Sequence, residues 1–264
     1  MEMGSAQVFC LPHAGGMTSA YACFRKHTDR GLAFEPIELA GRGRRFTEPL
    51  YDTFAQAVDD VGAVVRRRIR GRYALFGHSM GSWLAYDVCF RLEEMGAPPP
   101  AHVFVSANVP PVPSARRAPL HELPDETFME RVLALGGTPR EIVRHKELMD
   151  LIVPILKADY RMMATRALSE PLRPLPCGLT VFSGLGDRAF LGRAEDMLRW
   201  RACTDRACRY HAFEGDHFYF YEHVPEIVAL IRSALAGGET ADGAPCAPAA
   251  PAPLTWGRRR PAAG

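Results

Sequence analysis

Six short apolar runs punctuate the chain, at 8–11, 34–39, 73–76, 102–107, 179–183 and 209–213, and they alternate with stretches whose apolar residues recur at helical spacing. Continuous apolar runs of this length are typical of parallel strands buried on both faces. The alternation predicts an α/β fold with a mostly parallel central sheet and helices on both faces. Between the second and third runs, Thr53 and Gln56 form a capping box ahead of Phe54, Val58, Val61, Val65 and Ile69, an apolar stripe whose opposite side carries Arg66, Arg67 and Arg68 as a solvated face. After the third run, residues 82–95 read as a helix with little polar face, stopped by Gly96 and Pro98-Pro99-Pro100.

The stretch 110–176 breaks the alternation, because it holds several helical patterns where one crossover would suffice, and it is read as an inserted lid. Within it, Thr138-Pro139-Arg140-Glu141 is a second capping box, and Leu148, Leu151, Ile152, Ile155 and Leu156 form a stripe that either packs in the core or walls an apolar substrate. The predicted organisation is one domain over 1–236 followed by a disordered tail, 237–264, rich in Ala, Pro and Gly and lacking periodicity.

Composition narrows the class. The 264 residues are 47% hydrophobic, enough for one large core, and the formal charge of +2 gives no footprint for nucleic acid. No apolar run is long enough for a membrane span, and the N-terminus lacks the features of a secretory signal, so a cytoplasmic monomer is expected. Seven cysteines, an odd number spread through core elements, suggest reduced thiols. Cys203 and Cys208 lack zinc-site spacing, and no metal is expected.

The chemistry centres on Gly77-His78-Ser79-Met80-Gly81, placed between an apolar run and a helix. A turn of this kind strains the serine backbone and exposes its hydroxyl as a nucleophile, which then needs a base and an acid to orient the base. In chain order the acid precedes the histidine. His217, in Gly215-Asp216-His217-Phe218 after the last strand, is the predicted base; Asp187, after the strand at 179–183, is preferred as the acid over Asp216, whose side chain is too close in sequence to reach back along the ring. The Met80 N–H at the helix start supplies one oxyanion donor. The Ala14 N–H, in Pro12-His13-Ala14-Gly15-Gly16 after the first strand, is predicted as the second, with Gly15 and Gly16 allowing close approach to substrate. His13 precedes Ser79 and is read as shaping that loop.

On these residues, together with Gly41-Arg42-Gly43-Arg44, Leu135-Gly136-Gly137-Thr138-Pro139 and 154–161, the chain resembles the type II thioesterases, free-standing editing enzymes of polyketide and nonribosomal peptide synthesis. The resemblance implies an α/β-hydrolase fold with an inserted helical lid, and a triad of Ser79, Asp187 and His217. It further implies an oxyanion hole from Ala14 and Met80, and substrate contacts at Gly15, Gly16 and His78. Its substrates would be thioesters on the phosphopantetheine arms of acyl or peptidyl carrier proteins, with no cofactor of its own. Asn108, which ends the strand where fused terminal thioesterases usually place the acid, cannot serve as one. Two positions depart from the family: Arg188-Ala189 follows Asp187 where proline is common, and Ala40 replaces a common proline. Two other functions remain open at this point, a product-releasing thioesterase or acyltransferase using the same triad, and a non-catalytic carrier-binding module.

Overall fold

In a computed structural model, which describes residues 5–115, 118–136, 146–189 and 194–237, each of the six apolar runs lies in or overlaps a strand. These are β1 Ala6–Leu11, β2 Leu32–Pro36, β3 Tyr73–His78, β4 His102–Ser106, β5 Gly178–Gly184 and β6 Cys208–Phe213. They pair in parallel throughout, in the order β2-β1-β3-β4-β5-β6. The helices are α1 Ala22–Arg25, α2 Phe54–Arg68, α3 Met80–Glu94, α4 Asp125–Leu133, α5 Lys146–Ala164, α6 Ala194–Leu198 and α7 Val224–Ala236.

Because successive strand residues point to opposite faces, the sheet divides its apolar side chains between two cores. Phe9, Leu75, Val103, Val105 and Val181 pack with α2 and α3 on one face. Val8, Cys10, Phe76, Phe104 and Phe182 pack with α1 and α7 on the other. Burial of side chains of this size contributes roughly 1.5–3 kcal/mol each, which is what holds helices on both faces. The capping box forms as its sequence requires: Gln56 N–H donates to Thr53 Oγ1 at 3.2 Å, and Thr53 N–H donates to Gln56 Oε1 at 3.1 Å.

Two boundaries differ from the sequence reading. The second strand ends at Pro36, although Ile37 and Leu39 stay fully buried in the core. Ile37 N–H still donates to the Cys10 carbonyl at 2.9 Å, so the pairing closes at Ile37 and the apolar pattern beyond it reports packing. The helix read from 82 begins at Met80, directly after Ser79, because the connection between β3 and α3 is a single residue.

Seventy-one residues separate β4 from β5, and those described carry α4 and α5. These helices share a small cluster of their own: Phe128, Met129, Val132, Val153 and Leu156. Of the predicted stripe, Leu156 is buried, Ile152 and Ile155 are half-buried, and Leu148 and Leu151 are exposed. The capping box at Thr138 and the tail from 238 lie outside the described residues. Among those residues, no helix is long and apolar enough to cross a membrane.

Candidate active site

The carboxyl ends of parallel strands are where side chains and free amides converge in α/β sheets, and the candidate residues lie there. Ser79 follows β3 directly; Asp187 and His217 lie just beyond β5 and β6. His217 Nε2 is 2.9 Å from Ser79 Oγ, and its Nδ1 is 2.7 Å from Asp187 Oδ2. Ser79 is half-buried, whereas Asp187 and His217 are each 2% exposed, so the hydroxyl is the open end of a chain closed behind it. With Nδ1 donating to the carboxylate, Nε2 is left as an acceptor facing the serine.

Ser79 adopts φ 55° and ψ −115°, a conformation that L residues rarely take and that costs on the order of 1–3 kcal/mol. The surroundings hold it there. Ser79 N–H donates to the Ser106 carbonyl at 2.7 Å, and Asn108 Nδ2 donates to the Ser79 carbonyl at 3.0 Å. Ser82 Oγ accepts from Ser106 N–H and lies within hydrogen-bond distance of the Gly77 and Ser106 carbonyls. Both motif glycines are required by close approach: a Cβ on Gly77 would lie 1.9 Å from the Gly81 carbonyl oxygen, and one on Gly81 would lie 2.1 Å from the Leu11 carbonyl oxygen. Gly81 thus lets the start of α3 press against the end of β1, bringing Met80 up to the Pro12–Gly16 loop.

In that loop the three consecutive amides differ. Gly15 N–H donates to Asp159 Oδ2 at 2.7 Å and Gly16 N–H to the His13 carbonyl at 2.9 Å. Ala14 N–H has no acceptor among the described residues. Any contact of Gly15 or Gly16 with a substrate would therefore use Cα or carbonyl groups. His78 is fully buried, with Nδ1 2.8 Å from Ser106 Oγ, which in turn lies 2.6 Å from Tyr219 OH. Its ring packs against His217 at 5.3 Å and Phe220 at 4.5 Å between centroids.

Burial, the neighbouring His217 and Arg42 lower the His13 pKa to about 3; burial, His217 and His13 push His78 well below the ordinary histidine range. Both imidazoles are neutral near pH 7 and too weakly basic to take a proton from Ser79. His217 alone of these three contacts the hydroxyl. Asp216, the rival acid, accepts from Phe218 N–H at 2.7 Å and caps its own turn.

The Asp187 loop, where the sequence departs from the family, is closed by backbone bonds. Leu185 N–H donates to the Phe213 carbonyl and Gly186 N–H to the Gly215 carbonyl, both at 2.8 Å, and Ala189 N–H donates to Asp187 Oδ1 at 2.9 Å. A proline at 189 would lack that donor. Sequence reasoning gave no role to Ser106, Tyr219 or Asp159, and weighed Asn108 only as an acid it cannot be. Each acts through a partner distant in sequence, which no local pattern signals.

Residues 6–235 match the family model of the thioesterase domain. The chain is 31% identical over 224 residues to the human medium-chain S-acyl fatty acid synthase thioesterase, covering 83% of each protein. The crystal structure of ClbQ from the colibactin NRPS/PKS pathway superposes with a TM-score of 0.81 at 32% identity, over 88% of this chain and 98% of that one. BorB, the type II thioesterase from the borrelidin biosynthetic cluster, superposes at 0.78 with 28% identity, over 88% and 93%.

Proposed function

The chain belongs to the thioesterase family, and from that premise we propose that Ser79, His217 and Asp187 hydrolyse thioesters on the phosphopantetheine arms of acyl or peptidyl carrier proteins. Such hydrolysis clears stalled or incorrect acyl groups from an assembly line. The observation that carries the reading is the continuous Ser79–His217–Asp187 hydrogen-bonded chain with only its serine end open.

His217 Nε2 takes the hydroxyl proton as Ser79 Oγ attacks the thioester carbonyl. Asp187 fixes the imidazole tautomer and stabilises the imidazolium that forms. The Ala14 and Met80 amides receive the developing oxyanion. Collapse expels the pantetheine thiol, which takes the proton from His217 and leaves an acyl ester on Ser79. Water, activated by the same imidazole, then releases a free acid and restores the serine. Each step uses side chains, backbone amides and water; phosphopantetheine arrives as part of the substrate. Helices α4 and α5 act as the lid over the acyl chain, which accounts for an inserted region with its own apolar cluster.

A panel of carrier proteins loaded with different acyl groups tests reaction, partner and chain preference together. Free acid and unloaded phosphopantetheinyl carrier are the expected products. Acyl groups that stay on every carrier would refute the reading, and an ester or amide as the main product would replace hydrolysis with acyl transfer.

A further inference from the structure

Asp159, on α5, is 2% exposed and accepts three short hydrogen bonds. Its Oδ2 receives Gly15 N–H at 2.7 Å and Arg42 Nη1 at 2.6 Å, and its Oδ1 receives Arg42 Nη2 at 2.6 Å. Arg42 is itself buried, and its remaining donors reach the Ala40 and Gly16 carbonyls at 3.5 Å. The same turn of α5 presses on the loop: a Cβ on Gly15, whose φ is +73°, would lie 2.6 Å from Leu156 Cδ2. Three segments far apart in sequence therefore meet at one carboxylate.

A buried ion pair is a poor device for stability alone, since apolar residues of similar volume often serve as well or better. What apolar residues cannot do is accept the Gly15 N–H. Gly15 N–H belongs to the peptide plane that follows Ala14, and the plane before it, which carries the Ala14 N–H, is held by Gly16 N–H on the His13 carbonyl. Both planes flanking Ala14 are thus fixed, one of them from the inserted helix.

We propose that Asp159, held by Arg42, is a positioning residue that aims the Ala14 N–H at the oxyanion. The inference rests on the reading above, in which Ala14 and Met80 amides receive that charge. Through it, docking of α5 and assembly of the oxyanion hole become one event. An α5 that moves away takes the acceptor of Gly15 with it, leaving the donor loop unaimed.

Two double variants separate this role from simple packing. Arg42→Met with Asp159→Asn removes both charges but keeps an oxygen for Gly15 N–H; Arg42→Met with Asp159→Leu removes the acceptor as well. With an acyl-carrier substrate, the Asn double should keep kcat within about threefold of the parent. The Leu double should lose about 10–100-fold in kcat with KM little changed, less than the ~10²–10³-fold that deleting an oxyanion donor costs. Equal kcat in the two doubles, or a loss expressed in KM, would overturn the proposal. Asp159→Ala in the same background covers intolerance of Leu; failure of both to fold while the Asn double folds would make the residue structural and overturn it too. Ser79→Ala, run alongside, reports on the triad itself: retained turnover there sinks the functional reading, whereas equal doubles with an inactive Ser79→Ala sink only the role of Asp159.

Discussion

The strand ends and the helices inserted between β4 and β5 hold their side chains by different means. At the strand ends, positions are set by backbone: Ser79, Asp187 and Ala14 sit on turns closed by amide–carbonyl bonds and by glycines packed against neighbouring carbonyls. Among the described residues, the inserted helices share a five-residue buried cluster, and α5 joins the base through Met162 in the sheet's core and through polar ties. Besides Arg42–Asp159, Arg166 makes a bidentate pair with Asp87 at 2.6 and 2.7 Å, and Thr165 Oγ1 accepts Phe54 N–H at 2.9 Å. A backbone-defined site keeps its geometry whatever acyl group enters. A region tied at a few points can vary its apolar surface without disturbing the chemistry. The two regions should therefore fail differently when altered, one in rate and the other in stability or substrate choice.

The largest contrast is expected at Asp187. Asp187→Asn should fold with nearly unchanged thermal midpoint while kcat falls by about 10⁴, since the imidazole loses the partner that sets its tautomer. Loss of folding in circular dichroism, instead of rate, would erase the distinction. Phe128→Ala, at the centre of the α4/α5 cluster, should cost about 3–5 kcal/mol if the insert unfolds with the sheet. Faster hydrogen exchange confined to α4 and α5 would show instead that the insert opens on its own.

Within α5 the same contrast can be read on one helix. Leu156→Ala should destabilise by about 2–5 kcal/mol, whereas Leu151→Ala, at an exposed side chain, should stay within about 0.5 kcal/mol in urea unfolding. Similar values at the two positions would contradict the contrast between the buried and exposed faces of α5. A last contrast concerns acid. Burial lowers His102, 2.8 Å from Thr180 Oγ1, to about 4. Its unfolded pKa is near 6.5, so the unfolded chain binds the proton first as pH falls. Stability is full above about 6.5 and declines toward about 4, by a few kcal/mol for this group. His102→Gln should flatten that slope in thermal melts, and an unchanged slope would shift the acid sensitivity to His13 and His78.

The two regions also differed in how far they could be read. Strand positions, the Ser79–Asp187–His217 order and the glycine loop after β1 were visible because apolar runs, glycines and turn residues act locally. The choice of Asp187 over Asp216 followed from reach, and the geometry puts Asp187, not Asp216, against the His217 ring. The insert was harder. Its stripe marked a helix, but exposure of Leu148 and Leu151 depends on what packs nearby, which periodicity does not contain. Arg42 and Asp159 both lay in segments read as family motifs, yet they meet across 117 positions, and nothing at either end announces the other.

The central claim is that acyl groups pass through Ser79 on their way to water. Rapid quenching of the protein with an acyl-loaded carrier, followed by peptide mass analysis, tests it most directly. Expected are a transient increase of one acyl mass on the peptide containing Ser79, free acid labelled by ¹⁸O water, and neither signal in Ser79→Ala. Release of acid by Ser79→Ala at the parent rate, or an acyl mass on another residue, would contradict it.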